Sequence, residues 1–431
     1  MEDCRRIALA TNLDLQLARM EEVTKAALRD GNRKKMLPHL VFAGELGQRD
    51  NLGFSYSDVI GQEGRTPGPA GGIGSTGVTN FSVGHERSTW RYNLELRWSP
   101  TDAALAYYLW KSGGNDGYRA HYQRVRVAQK LIGAVESAFF RLLAFQKLLP
   151  MAVRLKALQG KVLKETEHLY EKNMKSVEDY QMANQGFLKS AGKLLAVQDG
   201  FERQRNILAT AMQLSPDYHA KSGFHVTGDL PAPKFNAGAP QLEMTAVRNR
   251  PESYEAGLNH LNSINDVHRT IIKYFPKFSG YWRYTRDKDK FLYNKDWKEV
   301  GVRATFDLTD WLTNLDESKA AKANSAKAER EVSAVALGLT SQVREAALRY
   351  YRSVGELANA EASAKISVKV LETAKLRAGK DDISKLALLQ AEASSLMEEI
   401  DRIRALGEAN ANLAELGAEM GTNYGEPHPA N

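Results

Sequence analysis

The chain carries one pattern twice: Ala10-Thr-Asn-Leu-Asp-Leu15 precedes Leu37-Pro38, and Arg248-Asn-Arg-Pro-Glu-Ser253 precedes Phe275-Pro276. The two copies of the pattern are separated by the same number of residues at their start and at their end, because 250 − 12 and 276 − 38 both equal 238. The amphipathic segment between them has therefore kept its length. This equality predicts an internal duplication in which each copy opens with a helix that a proline ends.

A second pair of stretches indicates how each copy continues. Leu96-Arg-Trp-Ser-Pro-Thr-Asp102 corresponds to Ala304-Thr-Phe-Asp-Leu-Thr-Asp310, at an offset of 304 − 96 = 208. The two offsets differ by 238 − 208 = 30, which predicts an insertion of that size between Pro38 and Leu96.

The duplication predicts three regions. Residues 1–214 form the first structural repeat and residues 246–431 the second. Residues 215–245 are expected to be a linker, because the segment from Ser215 to Pro240 holds four prolines and has little periodicity.

Composition limits the classes of function. No apolar run reaches the roughly 18 residues of a membrane helix, so contact with a bilayer would need strands or an anchor. The net charge of +7 on 431 residues is modest, and Lys and Arg alternate with Asp and Glu, so no nucleic-acid partner is predicted. The lone Cys4 excludes an internal disulfide framework. No signal peptide is expected within this chain, because residues 1–6 lack the required charged and apolar regions.

Each repeat also contains a predicted β-hairpin, at residues 38–98 and 276–306. Strict alternation marks the return strand of the first: Trp90, Tyr92, Leu94, Leu96 and Trp98 alternate with charged or polar residues. Between its strands, residues 61–77 are rich in glycine and proline and predict a long surface loop. The second hairpin is shorter, with a charged tip at residues 286–290.

Long helical segments follow each hairpin. We predict helices from Tyr118 to Lys172 and from Glu317 to Ala378, each followed by a turn, at Asn173 and at Gly379, and by a second helix. Asn and Gly tolerate the left-handed backbone that such a turn requires. The alanine-rich stretch at residues 319–328 favours close approach of helices in a curved wall.

These features resemble the TolC-type outer-membrane efflux protein family over nearly the whole chain. The resemblance is carried by Arg250-Pro-Glu at the start of the second repeat, by Phe306-Asp-Leu-Thr-Asp310, and by the two turn segments 173–183 and 379–391. It implies a mainly α protein with a β-barrel: a homotrimer with a twelve-stranded barrel in the outer membrane and an α-helical tunnel through the periplasm. It further implies a passive exit duct for efflux or type I secretion, docked to a periplasmic adaptor and an inner-membrane transporter.

The resemblance also implies sites. The helix tips would dock the adaptor, through Asn173, Met174, Lys175, Gly379, Lys380, Asp381 and Asp382. Asp381 and Asp382 are the candidate gate; the other interpretation is a solvated turn that caps the following helix. Aromatic residues could form interfacial girdles or pack as ordinary strand residues: Trp90, Trp98, Tyr281, Trp282, Tyr293 and Trp297.

One observation keeps an alternative function open. The apolar alternation from Leu40 to Leu46 and from Phe278 to Tyr284 spans roughly 17 Å after tilting, less than the roughly 25 Å band of a membrane barrel. The alternative is a periplasmic coiled-coil scaffold of the same architecture, whose short hairpins do not fully span the membrane. An enzyme is not expected, since no nucleophile, base and orienting group recur together, and no cofactor or metal site is predicted.

Overall fold

The computed structural model describes residues 1–51, 53–56, 81–214, 224–378 and 384–424, and at 53–56 and 81–84 it describes the backbone alone. The Gly-rich segment 61–77 and the second turn at Gly379 to Asp382 lie outside these residues. The helices are α1 (Glu2–Thr11), α2 (Leu13–Lys34), α3 (Pro100–Glu171), α4 (Val177–Ala211), α5 (Ala239–Asn249), α6 (Pro251–Ile272), α7 (Leu308–Ala378) and α8 (Lys385–Glu419). The strands are β1 (His39–Gln48), β2 (Gly53–Tyr56), β3 (Phe81–His85), β4 (Ser88–Trp98), β5 (Lys277–Asp287) and β6 (Asp296–Thr305).

The element bounds repeat with the two offsets read from the sequence. Helix α6 begins and ends 238 residues after α2, since 251 − 13 and 272 − 34 both equal 238. Helix α8 begins and ends 208 residues after α4, since 385 − 177 and 419 − 211 both equal 208. The structure is thus mainly helical, with a strand pair between the short and the long helices of each repeat, as predicted.

The long helices begin earlier than predicted, at Pro100 and Leu308 instead of Tyr118 and Glu317.

Two predictions about the short helices also need correction. The helix that opens the first repeat is not continuous up to its proline: it breaks at Asn12, whose side-chain oxygen accepts a hydrogen bond from Leu15 N at 3.1 Å and so caps α2. The repeat breaks at the equivalent position, Arg250, between α5 and α6. Helix α5 also begins at Ala239, inside the predicted linker, because Pro240 suits the first turn of a helix.

The main sheet has four antiparallel strands in the order β1-β4-β5-β6. Strands β1 and β4 form one hairpin, strands β5 and β6 form the other, and β4 pairs with β5 between the two repeats. Strands β2 and β3 form a separate two-stranded sheet.

The chain divides into two compact units. The first comprises residues 1–26, 115–262 and 326–431, and the second comprises residues 27–114 and 263–325, which include both hairpins. Three buried apolar clusters lie in the first unit, centred on Leu142, Tyr350 and Leu155.

Close helix packing in the first unit depends on small residues. A Cβ atom at Gly407 of α8 would meet Ala144 Cβ of α3, and one at Gly133 of α3 would meet Ala418 of α8. Backbones this near require a residue without a side chain at these positions. Ala328, from the alanine-rich stretch of α7, is buried in this unit, and Ala321 of the same stretch is buried in the second unit.

Candidate functional site

The four-stranded sheet in the second unit has one continuous apolar face. The register aligns Leu40 with Leu96, Phe42 with Leu94, and Leu96 with Trp282. Many of these side chains are exposed in one chain: Leu40, Phe42, Leu46, Trp90, Leu96, Trp98, Phe278, Val300 and Val302. An exposed apolar surface of this extent marks a contact with another protein or with a membrane.

The opposite face of the same sheet is polar and ion-paired. Arg91 Nη2 lies 3.0 Å from Asp287 Oδ2, and Arg283 Nη2 lies 2.7 Å from Glu95 Oε2. Arg283 also approaches Glu299, at 3.5 Å. Each pair bridges neighbouring strands, because charges of opposite sign on one face attract across a ladder.

The predicted girdle aromatics divide between these two faces. Trp90, Trp98 and Trp282 belong to the apolar row. Tyr281 belongs to the polar row, where its hydroxyl donates to Glu299 at 3.1 Å, and Trp297 lies opposite Thr285 in the same row. Successive side chains of a strand point to opposite faces, so Tyr281 and Trp297 lie on the face opposite the three tryptophans. The prediction that groups all these aromatic residues together is corrected for these two. Tyr293, between β5 and β6, is fully exposed.

The charged tip of the second hairpin is partly buried, which the sequence did not indicate. Asp289 is 1% exposed and accepts hydrogen bonds from Phe291 N at 3.0 Å and Glu86 N at 3.3 Å. His85 Nδ1 lies 3.0 Å from the same carboxylate. Asp289 therefore ties the end of β3 to the tip between β5 and β6.

The first helical turn has the local geometry predicted for it. Asn173 adopts the left-handed backbone, with φ 55°. Met174 N donates to Leu169 O and Asn173 N donates to Tyr170 O, both at 2.8 Å, which is the Schellman arrangement at a helix end. Met174 is 68% exposed, and Lys175 Nζ lies 3.3 Å from Asp179 Oδ2.

Both helices that follow the turns begin with an equivalent cap. Ser176 Oγ accepts from Asp179 N at 3.2 Å, and Ser384 Oγ, 208 residues later, accepts from Ala387 N at 3.3 Å. Lys385 Nζ forms an ion pair with Glu165 Oε2 at 2.8 Å. The predicted tip residues Gly379, Lys380, Asp381 and Asp382, including the candidate gate, lie outside the described residues.

A buried charge cluster forms where the second repeat begins. Arg250 donates to Glu252 Oε1 at 2.6 Å, forms an ion pair with Glu419, and donates to the Glu419 backbone oxygen at 3.3 Å. Burial would raise the pKa of Glu252, but the hydrogen bond and charge of Arg250 outweigh it and lower that pKa. In the first repeat, Asn12 occupies the position of Arg250 and donates to Ala211 O, 208 residues before Glu419.

Two features are absent from the described residues. They hold no group of three or more His, Cys, Asp and Glu side chains placed to bind a metal. None of their helices combines the length and the apolar character needed to cross a membrane.

Comparison with known proteins identifies the fold. No family model and no curated protein matches the chain. Solved structures do match, and they include the outer-membrane channel OprN, with a TM-score of 0.73 and 19% identity over 97% of this chain and 89% of that chain. The chain has the fold of a TolC-type outer-membrane channel.

Two further solved structures of outer-membrane proteins match the chain over a similar length. The CmeC outer membrane channel of Campylobacter jejuni gives a TM-score of 0.76 with 12% identity, over 98% of this chain and 86% of that chain. The outer membrane protein VceC of Vibrio cholerae gives 0.73 with 13% identity, over 97% and 95%. The predicted resemblance is therefore confirmed at the level of the fold.

Proposed function

We propose that this protein is an outer-membrane exit duct of an efflux or type I secretion system. The observation that carries the proposal is the two-faced sheet: an exposed apolar face, backed by an ion-paired polar face, in a chain with the fold of outer-membrane channels. In a membrane barrel, residues alternate between lipid and lumen in this way.

The strand arrangement supports a homotrimer. One chain supplies four strands in an open sheet. Four strands are too few to close, and three copies would give twelve strands in a barrel with no unpaired edge. In β4 the apolar row runs from Trp90 to Trp98, roughly 27 Å along the strand at about 3.4 Å per residue, or about 20 Å upright after a 40° tilt.

The helices would continue the duct into the periplasm. We propose that the turns at Asn173 and Gly379 form the end that docks a periplasmic adaptor and an inner-membrane transporter. Exposed apolar side chains at the first turn, Met174 at 68% and Val177 at 46%, support a protein contact there. Asp381 and Asp382 are the proposed gate, because three copies near the axis would form a ring of carboxylates.

Conductance in planar lipid bilayers tests the duct. The purified protein should produce discrete, ohmic conductance steps, and cell fractionation should recover it from the outer membrane. A variant with Leu94→Lys, which puts a charge in the middle of the apolar face, should insert less often at unchanged step size. That face is a lipid contact in the proposal, and a lysine on the lipid face near mid-bilayer costs about 2 to 4 kcal/mol.

The alternative is a periplasmic scaffold whose hairpins do not perforate the membrane. It is favoured by the height of the apolar row, about 20 Å against the roughly 25 Å of a membrane barrel. A trimer that stays in the periplasmic fraction and gives no conductance at any protein concentration would refute the duct and support the scaffold.

A further inference from the structure

The two outer strands of the four-stranded sheet, β1 and β6, are the candidate junction between copies of the chain, which rests on the proposed homotrimer. The order β1-β4-β5-β6 leaves the outer edge of each of these two strands unpaired within the main sheet as described. Such an edge presents a row of backbone donors and acceptors that another strand can cover.

The duplication offsets preserve the register of paired strands: residues paired in the first hairpin have equivalents that are paired in the second. Adding 238 to a residue of β1 and 208 to a residue of β4 converts the first hairpin into the second. His39 opposite Arg97 becomes Lys277 opposite Thr305, and this is the pair observed. The offsets can therefore be applied to the remaining strand pair, β4 with β5.

Applied to that pair, the offsets predict how one copy meets the next. Strand β4 is equivalent to β6, and β5 is equivalent to β1, so the pairing of β4 with β5 becomes a pairing of β6 with β1 of another chain. We infer that β6 pairs antiparallel with β1 of a neighbouring copy, with Arg303 opposite Glu45 and Glu299 opposite Arg49.

The charges agree with this register. Glu95 lies opposite Arg283 within one chain, and their equivalents, Arg303 and Glu45, have the two signs exchanged.

The second ion pair behaves in the same way. Arg91 lies opposite Asp287, and their equivalents, Glu299 and Arg49, again exchange signs. Both ion pairs between the hairpins are thus reproduced between copies. The smallest register shift that leaves each side chain on its own face of the sheet is two residues. Such a shift would set Arg303 opposite Gly47 or Ala43 and would lose both ion pairs.

The apolar face continues across the same junction. Leu94 opposite Tyr284 converts to Val302 opposite Leu46. In one chain Val302 is 81% exposed and Leu46 is 54% exposed. Pairing of the two strands would extend the apolar row from one copy to the next.

Contacts between helices of the first unit independently support the use of the offsets to convert contacts within one chain into contacts between copies. Helix α6 contacts α3 through Arg119 with Asn259 at 3.4 Å, Arg126 with Glu255 at 3.4 Å, and the rings of Tyr122 and Tyr254 at 4.8 Å. The offsets convert these into contacts of α7 with α2 of a neighbouring copy: Lys327 with Glu21, Ala334 with Leu17, and Arg330 with Gln16. The three pairs are an ion pair, an apolar pair and a hydrogen-bonding pair.

Disulfide trapping tests the register in the full chain. With Cys4→Ser as background, Leu46→Cys and Val302→Cys are combined and the protein is mildly oxidised in detergent. Directly opposite residues in an antiparallel sheet lie about 4.5 to 5.5 Å apart at Cα, within disulfide range. We expect covalent dimers and trimers on non-reducing gels.

Two matched pairs serve as controls. The equivalent pair Leu94→Cys with Tyr284→Cys, which lies opposite within one chain, should form a disulfide and keep the monomer mass. The shifted pair Leu46→Cys with Ala304→Cys should cross-link at least about tenfold less, because its residues are diagonal.

The outcomes separate this inference from the proposed function. A trimer by native mass that is not trapped by the first pair, or is trapped equally by the shifted pair, overturns the register and leaves the duct standing. A monomer overturns both the register and the duct.

Charge reversal is a second test. Arg303→Glu should lower the midpoint temperature of trimer dissociation, and adding Glu45→Arg should restore at least half of the loss. No restoration counts against the pairing.

Discussion

At the level of single residues, Asn173 and Arg250 occupy the positions whose residue type is most constrained by the structure. Asn173 has a left-handed backbone, which residues other than glycine and asparagine adopt at a cost. Arg250 is 5% exposed and is the shared partner of two glutamates. One position is thus constrained by backbone geometry and the other by charge burial.

Replacement of Asn173 tests the backbone constraint. We expect Asn173→Val to destabilise the turn by about 1 to 2 kcal/mol and Asn173→Gly to be neutral within about 0.5 kcal/mol. Limited proteolysis, read as cleavage rate near residue 173, measures the local effect. Equal cleavage of the two variants would show that the turn does not depend on this conformation.

Replacement of Arg250 tests the buried cluster. Arg250→Met leaves Glu252 and Glu419 without their partner and should cost about 3 to 5 kcal/mol of unfolding free energy. The exposed neighbour variant Arg248→Met should cost less than about 0.5 kcal/mol. Denaturant titration compares them, and similar losses would refute a special role for Arg250.

The cluster also predicts a pH dependence. The pKa of Glu252 is lowered in the folded protein, so its contribution is present above the unfolded-state pKa and is lost as pH falls through the folded one. Glu252→Gln should therefore be less stable than the parent at neutral pH, and the difference should shrink below about pH 4. A pH-independent difference would contradict the assignment.

At the scale of elements, the long helices pack through glycines whose environments differ. Gly407 has Ala144 against it, whereas a Cβ at Gly355 of α7 would meet no atom within 4 Å in one chain. The same substitution should therefore have opposite effects. Gly407→Ala should destabilise by about 1 to 3 kcal/mol through overpacking, and Gly355→Ala should stabilise by about 0.5 to 1 kcal/mol through helix propensity. Thermal unfolding, followed by circular dichroism, measures the change in stability of each variant. A change of the same sign in both variants would contradict this packing.

At the scale of the whole molecule, closure of the sheet is the property that one chain cannot supply. A homotrimer should have three times 48.0 kDa by native mass spectrometry in mild detergent. A stable monomer with full β-sheet content would contradict the twelve-stranded barrel. The matched variant Leu94→Lys, on the proposed lipid face but between two strands of the same chain, should leave the trimer mass unchanged.

The duplication, the strand faces and the long helices could be predicted from the sequence, because offsets and periodicity are counted along the chain. So could the left-handed turn at Asn173. The fold was needed to show that β4 pairs with β5 and that Asp289 is buried. Partners in these contacts lie far apart in sequence, and a pattern that marks a residue as apolar or charged does not say which distant residue it meets.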